Sequence, residues 1–210
     1  HSWVHGTYRE LTLTGHKDEI EFMSVWNSIM ASCSLDNTVQ IWDLANGECL
    51  RVFRNQKAIW CLDIYQEIIA LGSSEGSISI LNTSGNTLFD FASSVPTSST
   101  KSSEFYSFWI IIFSKLSFVF IYDLFIEYFY LDDHKGHFDG ITCLKIDSNR
   151  KYLYSGSSDK TVKVWDLKSG SLVETLTGQK AGITFLEMND DSMVVGSEDG
   201  TLRIYNLKTR

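Results

Sequence analysis

SGSSDKTVKVWDL, residues Ser155 to Leu167, is the stretch that decides the fold of this chain. Two short runs, Tyr152–Ser157 and Thr161–Asp166, flank a polar turn at Ser158–Lys160. Apolar and polar residues alternate along the second run, which is the period of a β-strand. The stretch therefore predicts two strands joined by a tight turn. A near copy, CSLDNTVQIWDL, occurs at Cys33–Leu44, so the chain contains repeats.

The composition narrows the classes of protein that the chain can belong to. It has 210 residues, of which 43% are hydrophobic, with one proline and 14 glycines, so it can bury a core and is not of a disordered type. Its net charge of −8 argues against a nucleic-acid-binding surface, which needs clustered Lys and Arg. We expect no nucleic-acid partner.

The four cysteines indicate the cellular compartment. Cys33, Cys49, Cys61 and Cys143 show neither a C-x-x-C pair nor metal-ligand spacing. We expect reduced thiols in a cytoplasmic or nuclear protein, with Cys61 and Cys143 buried at one repeat position, and disulfides as the alternative.

The repeats follow a regular spacing. Gly-His precedes Trp-Asp in two of them, at His16 and Trp42 and again at His137 and Trp165. Two more, GSSEGSISILN and GSEDGTLRIYN, end in Leu-Asn and Tyr-Asn, and FVFIYDL aligns with TVKVWDL. The closing markers are therefore spaced by 39, 41, 43 and 40 residues and fall at Trp42, Leu81, Tyr122, Trp165 and Tyr205.

This pattern resembles the WD40 repeat, in which a Gly-His, two or three strands and an Asp-bearing turn lead to a closing Trp-Asp. The resemblance implies an all-β WD40-type β-propeller, with two well-formed and three degenerate repeat units. We expect a partial ring that belongs to a larger one, with closure as about five blades as the alternative. The expected organisation is a lead-in and outer strand at 1–13, two repeats at 14–92, an atypical aromatic segment at 93–133 and two repeats at 134–210.

Residues 93–131 differ from an ordinary repeat because they lack Gly-His and almost all polar alternation. The spacing favours a degenerate blade. A stretch foreign to the family is the second interpretation. A transmembrane helix is the third, and Lys115, Asp123 and Glu127 argue against it because they interrupt the apolar run.

The resemblance also implies four bracing side chains in each full repeat: the His of Gly-His, a Ser four residues before the turn Asp, that Asp, and the Trp. These structural braces are His16, Ser32, Asp36 and Trp42, then His137, Ser155, Asp159 and Trp165. A Ser-His-Asp hydrolytic triad is the alternative for the second set. The recurrence of the set in two repeats, together with its Trp, argues against that. We expect no enzyme activity, no cofactor and no metal site.

Trp3 and Gly6, just before the first Gly-His, resemble the junction of F-box/WD-repeat proteins. That likeness implies the substrate-recognition propeller of an SCF-type ubiquitin ligase adaptor, which would reach the ligase core through an F-box absent from this chain. The alternative is a general WD-repeat scaffold of another multiprotein complex, unrelated to ubiquitin.

In either case we expect a protein or peptide ligand on one face of the propeller, here called the top face. Two repeat positions predict it: the residue after the first apolar residue of each repeat, and the residue before the turn Asp. The predicted top-face residues are Glu21, Leu35, Trp60, Ser74, Thr142, Ser158, Thr184 and Glu198. None is basic, which disfavours a phosphorylated ligand. Trp60 beside Glu21 predicts an apolar anchor with an acidic rim.

Overall fold

The computed structural model describes residues 11–55, 57–91, 136–149 and 151–208, which form four antiparallel β-sheets. Blade 1 contains β1 (Ile20–Trp26), β2 (Ile29–Ser34), β3 (Thr38–Asp43) and β4 (Cys49–Arg54). Blade 2 contains β5 (Ile59–Tyr65), β6 (Ile68–Ser73), β7 (Ile78–Asn82) and β8 (Thr87–Phe91). Blade 3 contains β9 (Ile141–Ile146), β10 (Tyr152–Ser157), β11 (Val162–Asp166) and β12 (Ser171–Leu176). Blade 4 contains β13 (Ile183–Met188), β14 (Ser192–Ser197) and β15 (Leu202–Asn206).

Each blade is a meander in which consecutive strands pair in chain order. The strand pair predicted from SGSSDKTVKVWDL is β10 and β11, with Ser155 opposite Lys163. The same turn joins the second and third strands of all four blades, and its last residue has a positive φ. That residue is Asn37, Gly76, Lys160 or Gly200. Gly and Asn adopt this left-handed conformation readily, whereas Lys160 adopts it at φ 71° with a β-carbon in the way.

The blades stack through their first strands: β1 packs on β5, β5 on β9, and β9 on β13. Each joint encloses an apolar cluster. Two connections between blades are short, residues 55–58 and 177–182, whereas residues 92–140 connect blade 2 to blade 3. The order of blades around the axis is therefore 1, 2, 3, 4, despite the long connection in the middle.

The interpretations of residues 93–131 fall outside the described residues. What the structure does describe is the joint on either side of that segment. Because β5 packs directly on β9, blades 2 and 3 are neighbours and leave no ring position between them for a further blade. The expectation of a degenerate blade at residues 93–131 stays a prediction.

The ring is open: β13 and β1 are not among the packed strand pairs of the described chain. Half of the segment Tyr8–Leu13, which belongs to the expected outer strand at 1–13, lies outside the described residues. Its described end, residues 11–13, is not in a strand, and the side chains of Leu11 and Leu13 lie next to Gly47 in the turn between β3 and β4 of blade 1. No helix of the described residues is long and apolar enough to cross a membrane.

Two of the four cysteines lie where the repeat pattern predicts a small apolar side chain. Cys61 and Cys143 are buried on β5 and β9, as expected, and all four thiols are free. Burial raises the pKa of Cys143 to about 11. A thiol in such surroundings packs as an apolar group and is unreactive.

Candidate functional site: the buried braces and the top face

The four brace residues of blade 3 form one continuous hydrogen-bonded chain. Asp159 Oδ2 lies 2.7 Å from His137 Nδ1, and His137 Nε2 lies 2.7 Å from Ser155 Oγ. Trp165 Nε1 donates to the same Ser155 Oγ at 2.8 Å. With Nδ1 protonated, the imidazole donates to the carboxylate and accepts from the hydroxyl, so every member has a partner.

Blade 1 repeats this arrangement with slightly longer distances. His16 Nδ1 lies 3.2 Å from Asp36 Oδ2, and His16 Nε2 lies 2.8 Å from Ser32 Oγ. Trp42 Nε1 donates to Ser32 Oγ at 2.8 Å. The structure thus brings both predicted sets together, each within one blade.

The blade 3 brace residues contact one another in the same order as a Ser-His-Asp triad. Their burial distinguishes a structural brace from a catalytic triad. Ser155 and His137 are fully buried, so no substrate reaches the hydroxyl. The Trp165 N–H also occupies a lone pair of Ser155 Oγ. A nucleophile must be open on one side to the reacting carbonyl. These contacts brace the blade, and such complete buried networks make their surroundings rigid.

Electrostatics agree with a neutral imidazole and an ionised carboxylate. Burial lowers the pKa of His137 below its usual value, against the opposing effect of Asp159. Burial alone would raise the pKa of Asp159, but hydrogen bonds from His137, Thr161 and the Phe138 backbone outweigh it and lower that pKa to about 2.

A β-bulge occurs at each predicted top-face position on the first strands. In all four blades the residue at this position is the extra residue of a β-bulge, with its two neighbours paired to consecutive residues of the second strand. These bulged residues are Glu21, Trp60, Thr142 and Thr184. A bulge turns a side chain out of the regular alternation, so the four side chains leave the blade faces at the same end of each sheet.

The second set of positions lies beside the first. The backbone N–H of each donates 3.0 Å to the carbonyl oxygen two residues before the bulged residue of the same blade. The donors are Leu35, Ser74, Ser158 and Glu198, and their acceptors are Glu19, Ala58, Gly140 and Gly182. The structure therefore places all eight predicted residues at the same end of the four sheets.

These eight residues differ in how far they are available to a partner. Ser74, Thr142 and Ser158 are partly buried, and the other five are exposed. The Thr142 hydroxyl lies 2.6 Å from the carbonyl oxygen of Ile183 and joins blade 3 to blade 4. Thr142 therefore has a structural contact at the joint between these blades.

Trp60 is the largest exposed side chain of the set, with 40% of its surface accessible. Its indole lies over Gly140, where an added β-carbon would come 2.5 Å from Trp60 Cζ3. Glycine at 140 therefore lets the ring rest on the backbone of blade 3. Asp139, which precedes Gly140 in the chain, is an exposed acid, and Glu21 is exposed at the equivalent bulge of blade 1. Lys57, in the connection before β5, pairs with Glu75 at 2.9 Å.

Sequence reasoning missed Asp63, which joins three blades. Asp63 Oδ1 accepts from Ser24 Oγ of blade 1 at 2.8 Å, and Oδ2 accepts from the Ile146 N–H of blade 3 at 2.9 Å. Burial raises its pKa, although these hydrogen bonds act in the opposite direction. An acid inside the apolar run IWCLDIY was the signal that could have revealed it.

A cavity of about 720 Å³ lies at the opposite end of the first strands from the top face. Asp63, Tyr65 and Lys145 are among its lining residues. Lys145 pairs with Glu187 at 3.1 Å, so this lysine is already neutralised. Among the described residues there is no group of three or more His, Cys, Asp or Glu side chains that could hold a metal ion.

Comparison with known proteins agrees with this architecture. The family model described as "WD domain, G-beta repeat" matches residues 8–43, 130–166 and 170–206, just over half of the chain. The Mitochondrial division protein 1 of Aspergillus clavatus is 32% identical over 148 residues, which is 70% of this chain and 21% of that protein. The protein of the same name from Neosartorya fischeri is 27% identical over 213 residues, 86% of this chain and 30% of that protein.

Two solved structures share the fold. RRP9 WD40 repeats superimpose with a TM-score of 0.69 at 22% identity, covering 94% of this chain and 51% of that one. The computationally designed Ika4 protein gives 0.68 at 23% identity and covers 95% and 99%. The relatives above are named for mitochondrial division, and they give no support to the F-box interpretation. With three matched repeats and the propeller architecture, the chain belongs to the WD domain, G-beta repeat family.

Proposed function

We propose that this chain is a non-catalytic protein-interaction scaffold that holds a segment of a partner protein on its top face. The observation that carries the proposal is the set of four bulges, which direct one side chain per blade to the same end, with an exposed Trp in the second. WD-repeat propellers in general bind protein partners, which supports the same conclusion.

The chemistry of this surface favours a particular class of partner. Trp is the side chain most enriched at the centre of protein interfaces, and Trp60 has the rigid backing of Gly140. Exposed carboxylates lie at the same end of the blades: Asp139 beside Gly140, Glu21 at the bulge of blade 1 and Glu198 in blade 4. We infer a partner segment with an apolar side chain that packs on the indole and with Lys or Arg on either side of it.

The names of the relatives favour one kind of complex. Two fungal proteins that resemble this chain are named for mitochondrial division, and the chain spans less than a third of either. We propose on that basis that the scaffold serves a multiprotein complex such as a mitochondrial division machinery. An SCF-type ubiquitin ligase adaptor is the second candidate, carried by the Trp3 and Gly6 junction.

The test is binding to an array of short synthetic peptides in which a central Leu, Phe or Trp is flanked by Lys and Arg or by Glu. We expect binding to the basic peptides only, and loss of at least about tenfold in affinity for Trp60→Ala. The control is Leu88→Ala, which removes an apolar side chain of similar exposure, 45%, from the outer strand of the same blade. Equal losses in the two variants, or equal binding to acidic peptides, would contradict the proposal.

The two candidate complexes are separated by purification from cells. The full chain and the Trp60→Ala variant are each isolated with an affinity tag, and copurifying proteins are identified by mass spectrometry. Known substrates of SCF-type ubiquitin ligases that copurify with the full chain and not with Trp60→Ala would favour the adaptor; the ligase core itself would bind through an F-box that this chain lacks. Proteins of the organelle-division apparatus that copurify with the full chain and not with Trp60→Ala would favour the division scaffold.

A further inference from the structure

The last described blade exposes a surface that is buried at the joint before it. Leu202 and Ile204 of β15 are 73% and 75% exposed. Their equivalents in blade 3, Val162 and Val164, are fully buried against β13 and β14 of blade 4. Phe185, the equivalent of Cys143, is likewise exposed. These three residues of blade 4, Phe185, Leu202 and Ile204, form the last face.

Blade 1 exposes the first-strand surface that, in blade 3, packs on the preceding blade. Ile20 and Met23 of β1 are 58% and 61% exposed, and Val25 is exposed beside them. The equivalent residues of blade 3 include Ile141 and Leu144, which are 0% and 2% exposed because blade 2 covers them. Ile20, Met23 and Val25 form the first face.

The two exposed faces are complementary because each is the repeat equivalent of a surface that packs at an internal joint. At the joint between blades 3 and 4, Val162 and Val164 pack on Ile183 and Leu186. Val162 and Val164 are the blade 3 equivalents of Leu202 and Ile204 in the last face, and Ile183 and Leu186 are the blade 4 equivalents of Ile20 and Met23 in the first face. The last face therefore fits the kind of surface that the first face presents. Contiguous apolar side chains that are left exposed in this way are typical of interaction sites.

We propose that two copies of the 210-residue chain close one ring, with the last face of each copy packed on the first face of the other. The pairing is two-fold symmetric, uses the same two surfaces that form the internal joints, and covers both apolar faces of each copy. The eight described blades that result lie within the range known for propellers.

A polar contact supports the same register. At the joint between blades 3 and 4, Thr142 Oγ1 donates to the carbonyl oxygen of Ile183 at 2.6 Å. Thr184 is the blade 4 equivalent of Thr142, and it is exposed. In the closed ring, Thr184 donates in the same way to the carbonyl oxygen of Ile20 in the second copy.

The test is the molar mass of the purified chain by light scattering during size-exclusion chromatography. We expect twice the 23.9 kDa of one chain. Leu202→Glu and Met23→Glu each place a charge in both joints, and each raises the dissociation constant of the dimer about 30-fold or more. Val173→Glu, on the exposed outer strand β12, is the matched control and keeps the dimer. Circular dichroism verifies that each variant is folded.

The remaining outcomes overturn the proposal. A chain that stays at 23.9 kDa at high concentration has no such pairing, and loss of folding in Leu202→Glu would then show that another part of the same chain covers the last face. A dimer that survives Met23→Glu would mean that last faces pair with each other. A series of higher oligomers would mean that the joint repeats without closing.

Discussion

The ring of Phe91 lies 4.6 Å, centroid to centroid, from the indole of Trp165. Phe91 is the last residue of β8 in blade 2, and Trp165 belongs to the brace of blade 3. The contact therefore ties the outer strand of one blade to the internal network of the next. The two residues lie on either side of residues 92–140, the longest connection between described blades.

Replacing Phe91 with alanine should destabilise the chain. Phe91 is buried in the apolar cluster between blades 2 and 3, so its removal leaves a cavity against Trp165. We expect a loss of about 3 kcal/mol in the free energy of unfolding, measured with urea. Leu88→Ala, on an exposed side of the same strand, should change it by about 0.5 kcal/mol or less. Equal losses in the two variants would contradict the packing described here.

Deleting residues 93–133 should preserve the four blades. The deletion leaves eight residues between Phe91 and Ile141, namely 92 and 134–140, against four at 55–58 and six at 177–182. Because blades 2 and 3 already touch, a connection of this length is compatible with their packing. We expect an unchanged β-sheet circular dichroism spectrum and a cooperative thermal transition. A chain that no longer folds would show that the joint depends on the deleted segment.

Ser155→Ala should remove the centre of the blade 3 brace. The change leaves the Trp165 N–H without its acceptor and His137 Nε2 without its donor, both in a buried place. We expect a loss of about 2 kcal/mol in unfolding free energy by chemical denaturation. Ser171→Ala, at an exposed serine of the same blade, is the control and should have little effect. A neutral Ser155→Ala would contradict the role of Ser155 as the centre of the brace.

Stability should fall as the solution becomes acidic, in two steps. His137 has a lowered pKa when folded, so below pH about 6.5 the unfolded chain takes up its proton first and folding weakens. Asp159 has a folded pKa of about 2 and a usual value of 3.8, so its contribution is lost as the pH falls from about 4 to about 2. Urea unfolding at a series of pH values tests this. His137→Gln should remove the first step and also weaken the second, because Asp159 loses its hydrogen bond from His137 and keeps those from Thr161 and the Phe138 backbone. An unchanged first step would contradict the assignment.

Gly140→Ala should impair partner binding although it lies outside the predicted contact residues. The new methyl group would overlap the Trp60 ring, whose Cζ3 lies 2.5 Å from that position, so the indole must move. We expect a loss of affinity comparable to that of Trp60→Ala in the peptide-array assay. Gly196→Ala is the control, because its nearest neighbours are 3.5 Å away and its methyl group is accommodated. Wild-type affinity in Gly140→Ala would exclude Trp60 as the anchor.

Much of the fold could be predicted from the sequence because the repeats impose it. The alternation on β10 and β11, the spacing of the closing markers and the Gly-His pairs all depend on local chain geometry, which recurs in each blade. The brace residues could be placed together for the same reason, since His137 and Trp165 occupy fixed positions within one repeat.

The remaining features depend on contacts between repeats, which a single repeat does not encode. The direct packing of β5 on β9, across a connection of 49 residues, is one contact that the repeat spacing did not predict. Asp63 was missed because its partners, Ser24 and Ile146, lie in two other blades.

The unequal connections between blades also bear on how the chain folds. Blades 1 and 2 are joined by residues 55–58 and blades 3 and 4 by residues 177–182, whereas 92–140 separate these two pairs. The entropic cost of loop closure grows with length, by about 0.6 kcal/mol for each doubling. Because contacts of short sequence separation tend to form earlier, we expect each pair of blades to assemble first and the two pairs to dock last. Until that final step, Phe91 and Trp165 are uncovered, and the half-folded chain is most open to aggregation at the surfaces that later meet.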